Sequence, residues 1–404
     1  MNILMVNPVH PSTPHVSAVR AWRFAQELAR RGHRTVFLTG SSVDQVDADI
    51  PILETHDWRK PFVCSIPLAT EGQFGSPMPR WLDKVRTAAC MVLDGGRRRS
   101  WVTSAVEHVA RINDVFRPTV VWCTLGSLEA AFVSKRVAAR LKCPWVLDVK
   151  DMWEFVVPQG LRRIMAWRTR GWAAATANAR TTAEAVAKWL GVVPSVIYSG
   201  IDERYYPDER AAPSPSQEFA VNLIGSIYFP SRLSAFVEGL ADWMEDMPEA
   251  SRRIVRVRYL GADDKVVWAA ALQHQGKVPV ETTGFVSVDE VARCCKAAAM
   301  NVYIGYPGAF HHKLLELLAC GRPVMAVGSE TAEAEELARE TQATLSIAPD
   351  SIAVRATVES VFERWTDRSF MVASGARLRQ FDWSTQAQAL ELVLTSAVGQ
   401  RAAR

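Results

Sequence analysis

The sequence predicts an α/β protein with two doubly wound domains of similar size, and three observations support this prediction. Short apolar segments of strand length alternate with amphipathic segments of helical length along nearly the whole chain. A segment rich in proline, serine and charge, Pro207–Gln217, interrupts this alternation once near the middle. The alternation then restarts, and repeated strand–helix–strand units form parallel sheets with helices on both faces.

The first domain opens with a strand–helix–strand unit. Asn2–Asn7 is short, apolar and bounded by Asn-Pro, which predicts a buried parallel strand. Apolar residues at helical spacing predict a helix over Val16–Arg31, which ends at Gly32, and Thr35–Thr39 is the second strand. The pattern returns as the strand Thr119–Cys123, the helix Leu128–Leu141 and the strand Trp145–Asp148.

The second domain repeats this order. The predicted strands are Phe219–Ile224, Ile254–Leu260, Asn301–Ile304 and Pro323–Val327. The predicted helices are Ser234–Met244, Val288–Ala298, Lys313–Cys320 and a last one over Ser384–Ala397. We therefore predict domains at 1–208 and 209–380, with a final segment, 381–404, that crosses back to the first domain. Ligands bind beyond the carboxyl ends of such strands, so we expect the domains to face a common cleft.

The composition argues against several classes of protein. The formal net charge is +4 without a long lysine or arginine tract, which does not indicate a nucleic-acid partner. No pair among the seven cysteines has zinc-ligand spacing, which favours free thiols in a reducing compartment. The N-terminus lacks the features of a signal peptide, and no apolar run reaches about 18 residues. We expect a cytoplasmic protein, either free or peripheral on the inner face of the cell membrane.

The segment Phe310–Val327 holds two histidines, a lysine and one glutamate directly before a buried strand. The loop Gly305–Phe310 contains two glycines and a proline, and we predict that a helix starts near His311. A glycine-containing loop that leads into a helix N-terminus suits a phosphate group. Lys313, in the first helical turn, opposes the helix dipole unless an anion lies in front of it. Glu316, on the same face, could accept hydrogen bonds from both hydroxyls of a ribose.

The same residues also fit an ordinary amphipathic helix with a solvated Lys313–Glu316 pair. Taken alone, the residues leave both interpretations open. His311 and His312 are not assigned to a metal site, because such histidines more often belong to a surface or a loop.

KLLELLACGRPVMAV, which spans Lys313–Val327, resembles the donor-site signature of family 4 glycosyltransferases, retaining enzymes of the GT-B fold. Other segments resemble further parts of this family in the same order along the chain. They are AVRAWRFAQELARRGHRTVFLTG, WVLDVKDMWE, VIYSGIDERYYP, TTGFVSVDEVARCCKAAAMNVYI and QFDWSTQAQALELVL. The resemblance covers nearly the whole chain and implies a GT-B protein with two Rossmann-like domains.

The resemblance implies an enzyme that transfers a hexosyl group from a nucleoside diphosphate sugar, of UDP or GDP type, with retention of anomeric configuration. The C-terminal domain would hold this co-substrate. The N-terminal domain would hold the acceptor, which is a glycan, a lipid-linked molecule or a small molecule. No metal and no resident cofactor are required in this family. Basic side chains would stabilise the leaving diphosphate, as expected in polysaccharide or glycolipid biosynthesis.

The resemblance also implies which residues form the site. Arg232, seven residues after Gly225, stands where the family has a phosphate-binding lysine, and Glu316 stands where it binds ribose. The predicted catalytic residues are Arg232, Lys313, Lys150 and Asp151. The predicted donor-binding residues are Gly225, Ser226, Arg232, Gly308, Ala309, Phe310, His311, Lys313, Leu314 and Glu316. The predicted acceptor-binding residues are His10, Arg20 and Trp153.

The sequence departs from the family pattern at four places. Gly308 stands where many members have a second glutamate, and Ser226 where many have an arginine. Pro8–Ala18 lacks the glycine-rich loop, and Lys150 stands where some members have a histidine. These departures keep a catalytically silent GT-B partner subunit as an alternative, beside a UDP-sugar epimerase-like enzyme. A nicotinamide dehydrogenase is disfavoured because no G-x-G-x-x-G follows the first strand.

Gly160–Trp172 mixes four arginines with two tryptophans. On a helix, the arginines could contact anionic lipid while apolar side chains enter the membrane interface. The apolar side chains in question are Leu161, Ile164, Met165, Trp167 and Trp172. A helix that faces the core and carries arginine on its outer side explains the same pattern.

Overall fold

The computed structural model describes residues 1–13, 15–41, 53–68, 80–94, 99–207, 218–274, 277–367 and 375–402. These residues fold as two compact units. The first unit contains Met1–Gly200 together with Trp383–Arg404, and the second contains Ile201–Asp382. The segment 208–217, which holds nearly all of the predicted linker, lies outside the described residues.

The boundaries of the second unit differ from the predicted positions at 208 and 380. Tyr205 and Tyr206 are both buried within the second unit, and the Tyr206 hydroxyl donates a hydrogen bond to Asp382. The Ile201 amide donates to the Phe381 carbonyl (2.9 Å). These contacts place the residues just before the linker and just before the last helix in the second unit.

A seven-stranded parallel sheet forms the centre of the first unit, with the strand order β3-β2-β1-β4-β5-β6-β7. Its strands are β1 (Asn2–Val6), β2 (Arg34–Ser41), β3 (Phe62–Pro67), β4 (Val120–Leu125), β5 (Trp145–Val149), β6 (Ala174–Ala177) and β7 (Ser195–Val196). In the register of this sheet, Ile3 lies between Thr35 and Val120. The chain therefore reverses its direction of winding at β1, and the loops after β1 and β4 meet at the carboxyl edge.

Helices cover both faces of this sheet. They are α1 (Val16–Arg30), α2 (Arg80–Asp94), α3 (Arg99–Phe116), α4 (Leu128–Leu141), α5 (Trp153–Val156), α6 (Arg162–Arg168) and α7 (Arg180–Leu190). Alternation along β1 directs Leu4 and Val6 to a core with α3 and α4, and Ile3 and Met5 to a core with α1. The continuous apolar strands of the sequence follow from this burial on two faces.

The second unit is built on a six-stranded parallel sheet with the order β10-β9-β8-β11-β12-β13. Its strands are β8 (Phe219–Ile224), β9 (Val255–Leu260), β10 (Val280–Thr282), β11 (Met300–Ile304), β12 (Val324–Val327) and β13 (Leu345–Ala348). Its helices are α8 (Pro230–Glu245), α9 (Glu249–Arg252), α10 (Asp264–Gln273), α11 (Val288–Ala297), α12 (Leu314–Ala319), α13 (Ala332–Thr341) and α14 (Ser351–Thr366). Counted within the unit, the order is 3-2-1-4-5-6, as in dinucleotide-binding domains.

The last helix, α15 (Trp383–Ala402), belongs to the first unit. The Trp383 ring meets the Phe24 ring edge to face, with centroids 5.2 Å apart. Glu391 accepts a charged hydrogen bond from Arg31 (2.6 Å) at the end of α1. The chain thus leaves the first unit after Gly200 and completes the core of that unit with its final residues.

Arg20 is a structural residue and not the acceptor ligand that the sequence predicts. It is 1 % exposed, and its Nε and Nη2 atoms donate to the two carboxylate oxygens of Asp148 (2.9 and 2.8 Å). The Ile197 carbonyl and the Ser199 hydroxyl accept further hydrogen bonds from the same guanidinium. Because Thr176 also donates to Asp148 (2.8 Å), both buried charges are compensated within the unit.

Trp153 also differs from its predicted acceptor-binding role. The side chain is fully buried, and its Nε1 donates to the Arg162 carbonyl (3.2 Å). Trp153 therefore anchors the short helix α5 in the core.

The Gly160–Trp172 segment exposes only part of its predicted lipid-facing set. Met165 is fully buried, and Leu161 and Trp172 pack against the core of the first unit. Ile164 and Trp167 remain exposed on α6. The predicted membrane face is therefore smaller than the sequence pattern indicates.

The arginines of the same segment divide into two pairs. Arg162 donates to the carbonyls of Glu154 and Val157, and Arg168 donates to the carbonyl of Val92. Arg163 and Arg170 lie exposed near Ile164 and Trp167 in the sequence. Half of the arginines thus hold neighbouring segments of the first unit together.

Within the described ranges, no helix combines the length and the apolar character that crossing a membrane requires. The same ranges contain no group of three or more His, Cys, Asp or Glu residues arranged to hold a metal ion. The seven cysteines all lie in these ranges and are free thiols.

We expect Arg20→Met to lower the free energy of unfolding of the first unit by about 3–5 kcal/mol, because it leaves the Asp148 carboxylate buried without a countercharge. Denaturant unfolding measures this change. Arg30→Met is the control, because Arg30 is exposed on the same helix, and it should cost less than about 0.5 kcal/mol. Equal, small losses in both variants would show that the buried pair is not structural.

Candidate functional site

The candidate site of the second unit lies at the carboxyl ends of its central strands. Arg232, in the first turn of α8, donates from Nη1 to the Gly305 carbonyl and from Nη2 to the Ser329 hydroxyl (3.2 Å). Gly305 follows β11 and Ser329 follows β12. One guanidinium therefore joins the loops after these two strands to the helix that follows β8.

Gly328 permits this arrangement. Its φ is +100°, in the left-handed region, and a Cβ there would lie 2.4 Å from Nε and 2.5 Å from Cζ of Arg232. A Cβ on Gly305 would lie 2.1 Å from the Ser329 carbonyl oxygen. The two loops therefore approach each other so closely that both positions require glycine.

A second set of contacts fixes the same loops. The hydroxyl of Tyr303, at the end of β11, donates to Glu330 (2.7 Å), and the Thr331 amide donates to the same carboxylate (2.8 Å). The His311 backbone amide contributes a further hydrogen bond. Burial raises the pKa of Glu330 in spite of these hydrogen bonds, which lower it.

His311 stacks on this network. Its ring lies against the Tyr303 ring with centroids 4.2 Å apart, and against the His312 ring at 5.3 Å. Burial, and then the charge of Lys313, lowers the pKa of His311 to about 3, so the ring is neutral at physiological pH. Its Nδ1 atom is buried and has no partner among the described residues. Sequence reasoning missed Tyr303 and Glu330, although an acidic residue at the end of a buried strand was a visible signal.

The donor-site helix lies within the predicted range Lys313–Cys320, but it does not start near His311 as the loop pattern indicated. α12 begins at Leu314, three residues after His311, and contains only six residues. Gly308 lies in the left-handed region at φ +68°, and the Ala309 amide donates to the Tyr306 carbonyl (3.3 Å). The segment before α12 is therefore a turn, and its amides are not the free first amides of a helix.

The predicted donor residues of this segment differ in exposure. The side chains of Phe310 and Leu314 are buried, so a ligand could meet these residues only through backbone atoms. Lys313 precedes α12 and is partly exposed, and within the described part of the chain no side-chain hydrogen bond or ion pair engages it. Glu316 lies partly exposed in the first turn of α12. The pKa of the buried Tyr205 hydroxyl is raised first by burial and second by the negative charge of Glu316.

Gly225 and Ser226 end strand β8. The Gly225 amide donates to the Leu260 carbonyl (3.1 Å), and its own carbonyl accepts from the Tyr259 hydroxyl (2.8 Å). Gly225 has φ +95°, and a Cβ there would meet open space. Ser226 is exposed. Backbone and tyrosine hydrogen bonds thus fix the end of β8, and the space beside Gly225 is open. A position that contacts a ligand needs both features.

The predicted residues of the first unit gather at the carboxyl ends of β1 and β5. The Lys150 ammonium lies 2.9 Å from an Asp151 carboxylate oxygen directly after β5. His15, which caps α1, has a pKa lowered first by burial and then by Lys150. His10 is partly exposed in the loop after β1 and contacts Ser12 (2.6 Å). The unit therefore brings the ion pair together with the β1–α1 loop.

We expect Gly328→Ala to cost the second unit about 1–3 kcal/mol more than Gly225→Ala. Both variants carry the strain of a left-handed alanine, about 1–2 kcal/mol, but only the first displaces Arg232. Denaturant unfolding in the wild-type and Arg232→Ala backgrounds forms a double-mutant cycle. The excess cost should disappear when Arg232 is absent, and an excess that persists would contradict the assigned contact.

Residues 225–364 match the family model described as glycosyl transferases group 1. Comparison with curated proteins finds no match. The matched range contains Gly225, Arg232, Lys313 and Glu316, together with the loops that Arg232 joins.

Several solved structures resemble this chain over nearly its whole length. HepE from Anabaena, in complex with UDP and glucose, is 16 % identical with a TM-score of 0.67, over 98 % of this chain and 99 % of that one. Sucrose-phosphate synthase from Thermosynechococcus elongatus is 13 % identical with a TM-score of 0.68, over 98 % and 99 %. A glycosyltransferase from Rickettsia africae is 10 % identical with a TM-score of 0.69, over 98 % of each chain. The predicted GT-B fold, with two parallel-sheet α/β domains, is confirmed.

Proposed function

We propose that the protein is a retaining glycosyltransferase of family 4 type, which moves a hexosyl group from a nucleoside diphosphate sugar to an acceptor without a metal ion. One observation carries this proposal. The stretch that matches the glycosyl transferase model, 225–364, is the stretch in which Arg232 organises the carboxyl-end loops and in which Lys313 and Glu316 lie. The similarity of fold supports the proposal, but the reaction itself has to be inferred from the residues of this site.

A uridine nucleotide is the donor that we propose among the UDP and GDP types. HepE, whose fold the chain shares, is described in complex with UDP and glucose. A nucleotide of this kind would lie beyond the carboxyl ends of β8, β11 and β12, where open α/β sheets bind their ligands.

Arg232 is the proposed phosphate ligand. A guanidinium has five N–H groups, and the hydrogen bonds to Gly305 and Ser329 use two of them. The remaining groups can donate to the diphosphate, and the fixed position of the side chain removes the cost of orienting it. Lys313 supplies a second positive charge. Together they would stabilise the negative charge that develops on the leaving diphosphate.

Glu316 is the proposed ribose ligand. An ionised carboxylate accepts hydrogen bonds through both oxygens, which suits the two adjacent hydroxyls of a ribose. Its place in the first turn of α12, partly exposed and near the buried Tyr205, gives it a defined position without removing it from solvent. In the first unit, Lys150, Asp151 and His10 remain the proposed contacts to sugar and acceptor.

We expect UDP to raise the melting temperature without added metal, in a thermal-shift comparison with GDP, ADP, TDP and CMP. At a hundredfold excess over Kd, a ligand of the folded state adds about 2.7 kcal/mol. Glu316→Ala should weaken UDP binding by about tenfold to a hundredfold with little change in the unliganded melting temperature.

Glu359→Ala is the matched control, because Glu359 is an exposed glutamate of the same unit. Unchanged UDP affinity in Glu316→Ala would refute the ribose assignment. No shift with any nucleotide would favour a silent partner subunit. Binding of a UDP-sugar that the protein converts without transfer would favour an epimerase-like enzyme.

We also propose that the enzyme works at the surface of an anionic membrane. α6 exposes 67 % of Trp167 and 44 % of Ile164, and the exposed Arg163 and Arg170 lie beside them in the sequence. Apolar side chains flanked by arginine suit the interface of an anionic bilayer. A lipid-linked acceptor would give this surface its function.

In flotation with phosphatidylglycerol vesicles, we expect the wild-type protein to rise with the lipid at low salt. Trp167→Ser should reduce the bound fraction, because it removes the largest apolar side chain of α6 from the interface. Trp268→Ser is the control, because Trp268 is a partly exposed tryptophan of the other unit. Equal flotation of both variants would show that α6 does not contact the membrane.

A further inference from the structure

A cavity of about 300 Å³ opens in the first unit at the carboxyl ends of β4 and β5. Gly126–Glu129 forms one wall, and this segment links β4 to the first turn of α4. Asp151 and Phe155, which follow β5, form another part of the lining. The cavity is at the lower end of the size range of small-molecule sites, so it suits a ligand with about one ring.

Glu129 is the unusual member of this lining. Only 8 % of the residue is exposed, yet among the described residues no hydrogen bond or ion pair engages its side chain. Neither carboxylate oxygen is among the fully buried side-chain atoms that lack a partner, so the carboxylate opens into the cavity. Its place in the first turn of the 14-residue helix α4 favours a negative charge there. A ligand that donates hydrogen bonds in the cavity would supply the missing partners.

Ser127 shows the same deficiency. It is the N-cap of α4 and has the extended backbone of an N-cap, but its side chain makes no capping hydrogen bond. Its Oγ atom is buried without a partner in the described part of the chain. Two neighbouring residues at one cavity therefore carry unused hydrogen-bonding capacity.

The remaining lining defines the chemistry of the ligand. Asp151 is held by Lys150 (2.9 Å), so Glu129 is the charge of this lining that has no countercharge. Carboxylates accept hydrogen bonds and do not donate them, so the ligand must bring donors. Phe155, half-exposed, adds an aromatic surface. A neutral sugar combines several hydroxyl donors with an apolar ring face, whereas a phosphorylated sugar would meet the charge of Glu129.

We propose that this cavity binds the hydroxyl groups of a neutral acceptor sugar, with Glu129 and Ser127 as its hydrogen-bonding ligands. The role as acceptor rests on the proposed glycosyltransferase function, but the affinity of the cavity for a sugar does not. Glu129 thereby selects neutral acceptors against anionic ones.

The test is saturation-transfer NMR on the full-length chain with methyl glycosides of glucose, galactose and mannose, with glucosamine and glucose 6-phosphate as charged probes. We expect a neutral glycoside to bind and Glu129→Leu to weaken its binding by about tenfold or more, the loss of one charged hydrogen bond. Glu129→Gln should retain part of the affinity, because it keeps one acceptor oxygen. Glu107→Gln, an exposed glutamate of α3, is the control and should bind as the wild type does.

The melting temperature supplies a second readout. Glu129→Leu should melt at the same temperature as the wild type or higher, because it replaces a carboxylate that has no hydrogen-bond partner among the described residues by an apolar side chain. A lower melting temperature with unchanged sugar binding would show that Glu129 serves only the dipole of α4. Tighter binding of glucosamine or glucose 6-phosphate than of every neutral glycoside would overturn the assignment to neutral sugars.

The outcome is separable from that of the proposed function. UDP binding without binding of any neutral glycoside would overturn the cavity assignment and leave the transferase proposal intact. Glycoside binding that depends on Glu129, without binding of any nucleotide, would support the cavity as a sugar site and remove the transferase proposal.

Discussion

The contact of the Arg232 guanidinium with Gly328 is the constraint on which the second unit's functional edge depends. Hydrogen bonds from Arg232 to Gly305 and Ser329 bring two loops so close that side chains at positions 305 and 328 would collide with them. The Tyr303–Glu330 contact closes the same loops from the side of β11. The loop geometry is therefore set before any ligand arrives, and a site of this kind needs little reorganisation to stabilise developing charge.

The two units present different charges at their carboxyl edges. In the second unit, Arg232 and Lys313 supply positive charge beside the carboxyl groups of Glu316 and Glu330, at the edge that we assign to the nucleotide. In the first unit, Lys150 and Asp151 neutralise each other, and Glu129 leaves the cavity acidic. Under the proposed function, the basic residues of one edge would bind the diphosphate, whereas the acidic cavity of the other would repel it and accept hydrogen bonds from a neutral sugar.

The sequence was sufficient to predict both sheets, because continuous apolar strands separated by amphipathic helices have few other solutions. It was not sufficient for side chains whose environment comes from distant segments. The spacing of Arg20 in α1 does not tell whether its side chain faces the core or the solvent. Only the fold shows that it pairs with Asp148, which lies 128 residues later in the chain. The helix α12 starts after His311 because of the turn at Gly308–Lys313, which no strong capping residue marks. Glu129 lines one cavity with Asp151 and Phe155, which follow another strand.

The first unit itself shows what a satisfied buried charge looks like. Asp148 receives two hydrogen bonds from Arg20 and one from Thr176, so the cost of burying it is compensated within the fold. Glu129 is 8 % exposed, against 0 % for Asp148, and the described residues offer it none of these partners. The same unit supplies three hydrogen-bond donors to Asp148 and, among the described residues, none to Glu129. The difference fits a residue whose partners arrive with a ligand, since functional sites are where local stability is given up.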